Sequence, residues 1–591
     1  MAYQAPVNDI LVAHKSAAGL DELLESGLYE GLDGEIIEAV LTEAGRFASE
    51  LLDPLNRAGD KQGSKLIDGA VSTPHGWVEA YQQFTAAGWN ALPCPQAYGG
   101  QGLPQVVSMA VCEFWNAANL SFGLCPLLTQ GAIDAISIGG SDELKVSYLP
   151  KLVSGEWSGT MNLTEPQAGS DLSALKARAE AQADGTYRLF GTKIYITYGE
   201  HDLAENIIHL VLARLPDAPP GTRGISLFLV PKRRLNDDGT LGDRNDVVCA
   251  GLEQKLGIHA SPTCVMNYGE KDGAVGYLIG QENQGLATMF IMMNAARLAV
   301  GVQGVAIAER ATQRAVAYAN ERRQGRGADG AAGPVAIVEH ADVRRMLLTM
   351  QAMTHAARTI CLITARETDI ARLAADPEAR SRAQARVALL TPVAKAFSTD
   401  VGCEVTSLGV QVHGGMGFVE ETGAAQYYRD ARILPIYEGT NGIQAIDLVT
   451  RKVPLDGGAV LRDYLQELGQ TVNEVSRSNR IEFGAMGERL GEALASLSKA
   501  SVWVGEALQS NPHAALAGAT PYLRLFGITA GGCYLARCAL AAGNKSEPGE
   551  RSVDLARFFA ENIAVLAPGL SASVMSGAGS VLAVPTGRLS A

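Results

Sequence analysis

Aromatic residues make up only 6% of this 591-residue chain, and its 49 lysines and arginines are outnumbered by 63 acidic side chains. A net charge of -14 with a pI near 5.3 leaves no global attraction for phosphate backbones or anionic lipid, and so few rings argue against reading bases by stacking. The nine cysteines are scattered, odd in number and nowhere spaced as C-x-x-C, which favours a reducing compartment with buried thiols over disulfides or a zinc site. There is no H-E-x-x-H, P-loop or G-x-S-x-G, and the nine histidines form no metal-spaced cluster. Zinc hydrolase, NTPase and serine hydrolase readings therefore lose their usual support, and no metal is expected. No strand runs into G-x-G-x-x-G, so a dinucleotide held on a Rossmann sheet is disfavoured. The N-terminus, MAYQAPVNDILVAHKSAAG, lacks the basic start and apolar run of a signal peptide and reads as a cytoplasmic arm.

What is present is ample apolar content, 47%, in a chain too long for one core. From Gly34 to Leu52 apolar residues recur at three- and four-residue steps until Pro54, the pattern of an amphipathic helix ended by proline. Similar patterns over 74–88, 104–118, 131–138 and 142–152 predict an all-helical unit, residues 1–157. Segments such as TYRLFGTKIYITYG and GISLFLVPK are short, β-branched and bounded by Gly and Pro, so 158–280 reads as a compact β unit. Long helical periods return at 285–323, 335–374, 380–409 and 441–452, predicting a bundle over 281–453. The stretch RQGRGADGAAGP (323–334) should be an exposed loop, and 454–591 an appended helical domain. Residues 285–308 are long enough to span a bilayer but carry Asn294, Arg297 and Gln303, which suit the middle of a bundle better than lipid, so no membrane span is expected.

Three stretches carry chemistry. MNLTEPQAGSDLSALKARA (161–179) is a strand entering a Gly-bearing turn that offers the hydroxyls of Thr164 and Ser170 and free backbone amides, although an ordinary capped turn would read alike. In KIYITYG, Tyr195 could lie against a planar ligand and Thr197 reach its edge, or Tyr195 could be core. In 408–444, Gly414, Gly415 and Gly417 permit close backbone approach to a phosphate. His413 there reads as a partner for turn backbone rather than a metal ligand. Glu438 follows the apolar run Ile433, Leu434, Pro435, Ile436 and precedes Gly439, so its carboxylate should sit on a turn with little solvent, which raises a carboxyl toward a general base's range.

The order T-E-P with G-S-D, then K-x-x-I-T, then the helix with Arg297, then Q-x-x-G-G-x-G-F and R-D-x-x-x-x-x-I-Y-E-G-T resembles the acyl-CoA dehydrogenases over residues 35 to 453. The resemblance implies their fold: mainly α, a helical bundle, a central β-barrel or sandwich and a four-helix bundle, here with an appended C-terminal helical domain as in the enlarged bacterial type. It further implies FAD, held by Met161, Leu163, Thr164, Gly169, Ser170, Tyr195, Ile196 and Thr197 at the flavin ring, with Thr440 and Asn441 completing that end. Arg322, with Arg323 and Gln324, and Gln411, His413, Gly414 and Gly415 would contact FAD from a neighbouring subunit, so a homodimer or dimer of dimers is expected. Ser170, Asn294, Arg297 and Gly439 would line the substrate channel. The family's R-x-T/S-F-G appears here as RRQGRG with an insertion, and the alternative base position before Arg297 is Ala296, which leaves Glu438 as the catalytic base.

The activity so implied is α,β-dehydrogenation of an acyl-CoA to trans-2-enoyl-CoA, with electron-transfer flavoprotein taking the electrons. A short thioether substrate, 3-(methylthio)propanoyl-CoA, is the first expectation and a medium- or long-chain fatty acyl-CoA the alternative. An acyl-CoA oxidase would differ in rapid reoxidation by oxygen. A nucleic-acid-binding flavoprotein would need a basic tail, which this acidic chain lacks, and a helical scaffold would carry no flavin.

Overall fold

A computed structural model describes residues 2–327, 333–542 and 547–589. The N-terminal unit is built on helices Gly34–Phe47, Gln105–Ala118, Leu120–Gly139 and Asp142–Ser154. Two prolines lie inside helical stretches. Pro54 does not end the first helix: a π turn, Ala48–Leu52, leads into a further helix, Asp53–Gln62, in which Pro54 occupies the first turn, where its missing N–H leaves nothing unsatisfied. Pro126 likewise lies inside Leu120–Gly139, a helix so thoroughly buried that packing overrides the local break. The unit is also not all helical. Lys65–Ile67 pairs with Ala70–Ser72 through Asp68 and Gly69, both left-handed, as a two-residue hairpin requires.

The β unit is an eight-stranded sheet with Tyr187–Thr197 near its centre, joined on its two sides by Thr263–Tyr268 and Ala274–Ile279. Neighbours are antiparallel except Trp157–Asn162, which runs parallel to Asn206–Ala213 at one edge. Three long helices follow: Gly285–Glu321, Ala341–Leu373 and Pro377–His413. The first and third cross at backbone contact, since a Cβ on Gly301 would lie 2.6 Å from the carbonyl oxygen of Ala394 and one on Gly304 would collide with that of Ser398. Buried Arg358 of the second helix bonds Glu113 of the N-terminal unit and Glu309 of the first helix, tying the two units together. Around the expected 323–334 loop, Gln324 N donates to Val335 O at 2.9 Å, closing its base, while residues 328–332 lie outside the described part.

The C-terminal helices Ala459–Arg477, Met486–Ser510 and Ala519–Ala541 pack on the back of the bundle, where Gly527 admits the Phe397 ring and Arg524 pairs with Glu404 at 2.7 Å. Among the described residues, three helices are long and apolar enough to cross a membrane by length and composition, one of them Gly285–Glu321, 72% of whose most apolar window is buried in protein, with Arg297 and Gln303 inside the bundle.

Candidate active site

Residues 431–441 form a tight turn between two short helices. Ile436 and Tyr437 donate their backbone N–H to Ile433 O, and Asn441 N and the Thr440 hydroxyl both donate to Pro435 O. Closing so short a loop forces Glu438 and Gly439 into left-handed backbone, φ 54° and 84°. For a glutamate this is strained, and strain of this kind gathers where geometry serves chemistry. Gly439 has no substitute there, because a Cβ would run into Gln444 Nε2. Tyr437 anchors the turn from below through a hydrogen bond to buried Gln303, which in turn donates to Asn116.

Glu438 keeps partial surface access, yet protein encloses its carboxyl enough that burial pushes it up to about 7, against the pull of Arg297 and Lys395. Arg297 is 8% exposed, donates to Asn294 Oδ1 at 3.2 Å and lies beside Gly439. Its Nε and Gln444 Oε1 are buried without protein partners, two polar atoms left over on the wall of one turn. Lys395, fully buried, donates to Asn441 Oδ1 at 2.9 Å. Asn441 points into the third long helix, giving its amide N–H to Ala396 O, Thr399 Oγ1 and Asp400 Oδ1, so its side chain is spent within the protein.

The bulged strand Tyr187–Thr197 carries a second cluster. Lys193 and Glu165 form an ion pair of 2.8 Å, both almost wholly buried, and Lys193 also donates to Leu163 O. Ile194 N donates to Thr164 O, so strand Tyr187–Thr197 carries the Met161–Thr164 segment on its flank. A register shift opposite Cys264 and Met266 coincides with Tyr195 at φ 60°, and this bulge turns the ring outward, 60% exposed. Ile196 points the other way, into the sheet core, leaving only its backbone for a ligand. Thr197 is held through Thr160 Oγ1, which donates to its carbonyl. Ser170 is exposed and Gly169 faces open space.

The third cluster sits at the far ends of the long helices. His413 stacks on Tyr318 at 4.4 Å, and Arg322 follows Tyr318 by one turn. Gln411, Gly414 and Gly415 are exposed there, with nothing within 4 Å of a Cβ on either glycine, and His413 Nε2 is buried without a protein partner.

These residues fit a flavin dinucleotide. A planar ring has an exposed tyrosine on a strand bulge to lie on, a phosphate has two unobstructed glycines, and polar atoms stand unpaired beside the Glu438 turn and at His413. Sequence reasoning found Glu438, Arg297 and the Tyr195 strand but missed Lys395, Gln444 and the Lys193–Glu165 pair. The one signal for Lys395 is its setting, a cation among Val393, Ala394, Ala396 and Phe397 in a stretch of helix, 389–399, that is buried on every side.

Residues 35–156, 160–269 and 283–453 match the families described as acyl-CoA dehydrogenase N-terminal, middle and C-terminal domains, and 464–585 match "Acetyl-CoA dehydrogenase C-terminal like". The 3-methylmercaptopropionyl-CoA dehydrogenase of Ruegeria pomeroyi is 50% identical over 572 residues, 96% of each chain. Among solved structures, Caenorhabditis elegans ACDH-11 superposes with TM-score 0.79 at 19% identity, over 98% of this chain and 96% of that one. An acyl-CoA dehydrogenase from Bacillus anthracis complexed with FAD gives TM-score 0.74 at 22% identity, over 95% and 91%.

Proposed function

The chain belongs to the acyl-CoA dehydrogenase family of FAD-dependent oxidoreductases, and from that premise we propose that it oxidises a short thioether acyl-CoA, 3-(methylthio)propanoyl-CoA, with Glu438 as the base. The observation that carries the role of Glu438 is its setting: a partly reachable carboxyl on a strained turn, raised to about 7 by burial and flanked by two buried cations. A base of that strength is ionised for much of its time at neutral pH yet holds a proton well once it has one. The thioether substrate is supported by the 50% identity to the Ruegeria enzyme across both whole chains.

FAD, when bound, accepts the hydride from the substrate β-carbon. Met161, Leu163, Thr164, Gly169, Ser170, Tyr195, Ile196 and Thr197 would hold its ring, Ile196 through backbone alone, and Thr440 would close that end, with Asn441 contributing only main chain. Glu438 takes the proton from the α-carbon. The N–H of Glu438, on its left-handed turn, would donate to a thioester oxygen, where charge builds as the proton leaves. Ser170, Asn294, Arg297 and Gly439 would line the acyl-CoA path, with Arg297 supplying positive charge beside the reacting carbons.

Arg297 lies on the first long helix and Arg322 caps the C-terminal end of that helix 25 residues on, about 37 Å along its axis. No single dinucleotide spans that length, so Arg322, Gln411, Gly414 and Gly415 would serve the site of a second copy, and the working enzyme would be a homodimer or a dimer of dimers. Electron-transfer flavoprotein would reoxidise it in the cytoplasm.

Anaerobic bleaching of the flavin by a panel of acyl-CoAs tests the substrate: 3-(methylthio)propanoyl-CoA should give the highest kcat/KM, and a clear preference for octanoyl- or palmitoyl-CoA would replace this reading with the fatty acyl one. Glu438→Gln should leave a yellow protein that substrate no longer bleaches. Rapid reoxidation by oxygen alone would remove electron-transfer flavoprotein from the scheme.

A further inference from the structure

We propose that Lys395 is a positioning residue for the oxidation: a buried cation, fixed behind the Glu438 turn, whose charge keeps the base ionised as substrate arrives and helps it shed its proton afterwards. The inference rests on Glu438 being the base.

The helix crossing sets the geometry. Lys395 follows Ala394, which touches Gly301, and Arg297 lies one turn before Gly301, so backbone contact between the two helices brings both cations to one level of the bundle. Lys395 is wholly buried, and the group its ammonium touches is neutral, the Asn441 side-chain oxygen at 2.9 Å. Asn441 cannot swing away. Its amide nitrogen is held by Ala396 O at 3.1 Å, Thr399 Oγ1 at 3.0 Å and Asp400 Oδ1 at 2.7 Å, and its backbone N–H by Pro435 O. Because Asn441 stands three residues after Glu438 in the same turn, the clamp fixes the cation relative to the base.

Packing alone asks for no charge at this position, since a methionine would fill much the same space without an ammonium to desolvate. The groups that face the pair come from every neighbouring element: Arg297 from the first long helix, Asp400 and Cys403 from the helix of Lys395 itself, Tyr437 from the turn, and Asp447 and Arg451, beyond the turn, acting on Arg297. Burial drives Lys395 down to about 7 and Glu438 up to about 7, and each charge opposes the shift of the other. When Glu438 accepts the α proton, the C–H bond breaks, an O–H bond forms on the carboxyl, and hydride leaves the β-carbon for the flavin. Lys395 then faces a neutral acid, and its uncompensated charge favours return of that proton to water and recovery of the carboxylate.

The test uses flavin-bound Lys395→Met, Lys395→Arg and Glu438→Gln enzymes. Two readouts are followed against pH: the rate of flavin reduction by acyl-CoA, and the infrared C=O band of protonated Glu438, identified by its loss in Glu438→Gln. In Lys395→Met the rising limb of log rate should move up by about one pH unit, a loss of about fivefold at pH 7 that nears tenfold at lower pH and is largely recovered at pH 9, with KM little changed and the C=O band persisting to higher pH. Lys395→Arg should restore the wild-type limb. An unmoved limb, or a loss equal at every pH, overturns the proposal. Should Lys395→Met not fold, Asn441→Asp carries the test, because a carboxylate drawn onto Lys395 must shift limb and band the same way, and an unmoved band there is equally fatal. Bleaching retained by Glu438→Gln would instead overturn the base assignment, which separates the two failures.

Discussion

Two wholly buried lysines face glutamates in two parts of this site, and they are built in opposite ways. On the bulged central strand, Lys193 touches Glu165 at 2.8 Å, and the carboxylate takes three further hydrogen bonds, from the backbone N–H groups of Lys176 and Ala177 and from the Gln167 amide. Burial pushes Glu165 up, but Lys193 and those amides outweigh it and hold the carboxyl below its usual range. At the Glu438 turn, Lys395 is held off by an amide, Glu438 is left without such partners, and burial wins, raising the carboxyl to about 7. Each arrangement suits one task. A saturated ion pair is a fixed strut; an unsaturated one stores a carboxylate that can still gain a proton.

The sharpest way to break the contrast is to remove each lysine in turn. Lys193→Met strands a buried carboxylate and should cost about 3–5 kcal/mol of unfolding free energy, with weakened flavin retention because Leu163 loses its tether. Replacing Glu165 by Leu in the same chain should recover most of that loss, as apolar substitutes for buried pairs generally do. Denaturant unfolding of the flavin-bound variants checks both. If Lys193→Met were as stable as wild type while shifting the pH limb of turnover, the strut and the tuner would have been assigned the wrong way round.

The sequence made one of these pairs half visible and hid the other. Glu438 was legible because an apolar run ending in a single glutamate and a glycine is locally odd. The order of helical, β and helical units was legible from hydrophobic period. Lys193 stood inside a stretch that had been read for Tyr195 and Thr197, and nothing local says that a strand lysine turns inward to meet a glutamate 28 residues earlier. Lys395 depends on a helix crossing that Gly301 and Gly304 allow, and such a crossing is a property of two distant segments together. Pro54 misleads for a local reason, since a proline in the first turn of a helix loses no hydrogen bond and the chain stays helical past it. The hairpin at 65–72 was readable from its Asp-Gly turn, but its strands of three residues are too short for alternation to register.

A smaller change probes how far the loose pair depends on its turn. Gly439→Ala places a Cβ against Gln444 Nε2 in a backbone with φ 84°, and Gln444 is wholly buried. The turn must shift, carrying Glu438 with it, and a displacement near 1 Å lowers flavin reduction about 10- to 100-fold, roughly 1.4–2.7 kcal/mol in barrier. Stopped-flow reduction at saturating acyl-CoA measures this. A variant with an unchanged rate would mean that the left-handed turn does not set the position of the base.

The smallest effect has the most telling sign. Glu438 is held near 7 in the folded protein against 4.5 for an ordinary glutamate, so between those values the native chain binds more protons than the unfolded one. Stability contributed by this group is therefore complete below about 4.5 and is lost as pH rises through 7, which means that at pH 8 the ionised base is a burden on the fold. Glu438→Gln removes that burden and should stabilise the flavin-bound protein by about 1–2 kcal/mol at pH 8, partial exposure of the residue limiting the gain, with the advantage closing toward pH 4.5. Glu165→Gln must act in the reverse sense, because a carboxyl held below its usual range stabilises the fold above that range and fails only in acid. Thermal unfolding of both variants across pH 3–8 compares them directly. Two curves bending the same way would show that the glutamates share one environment, and the distinction between strut and base would have no electrostatic basis.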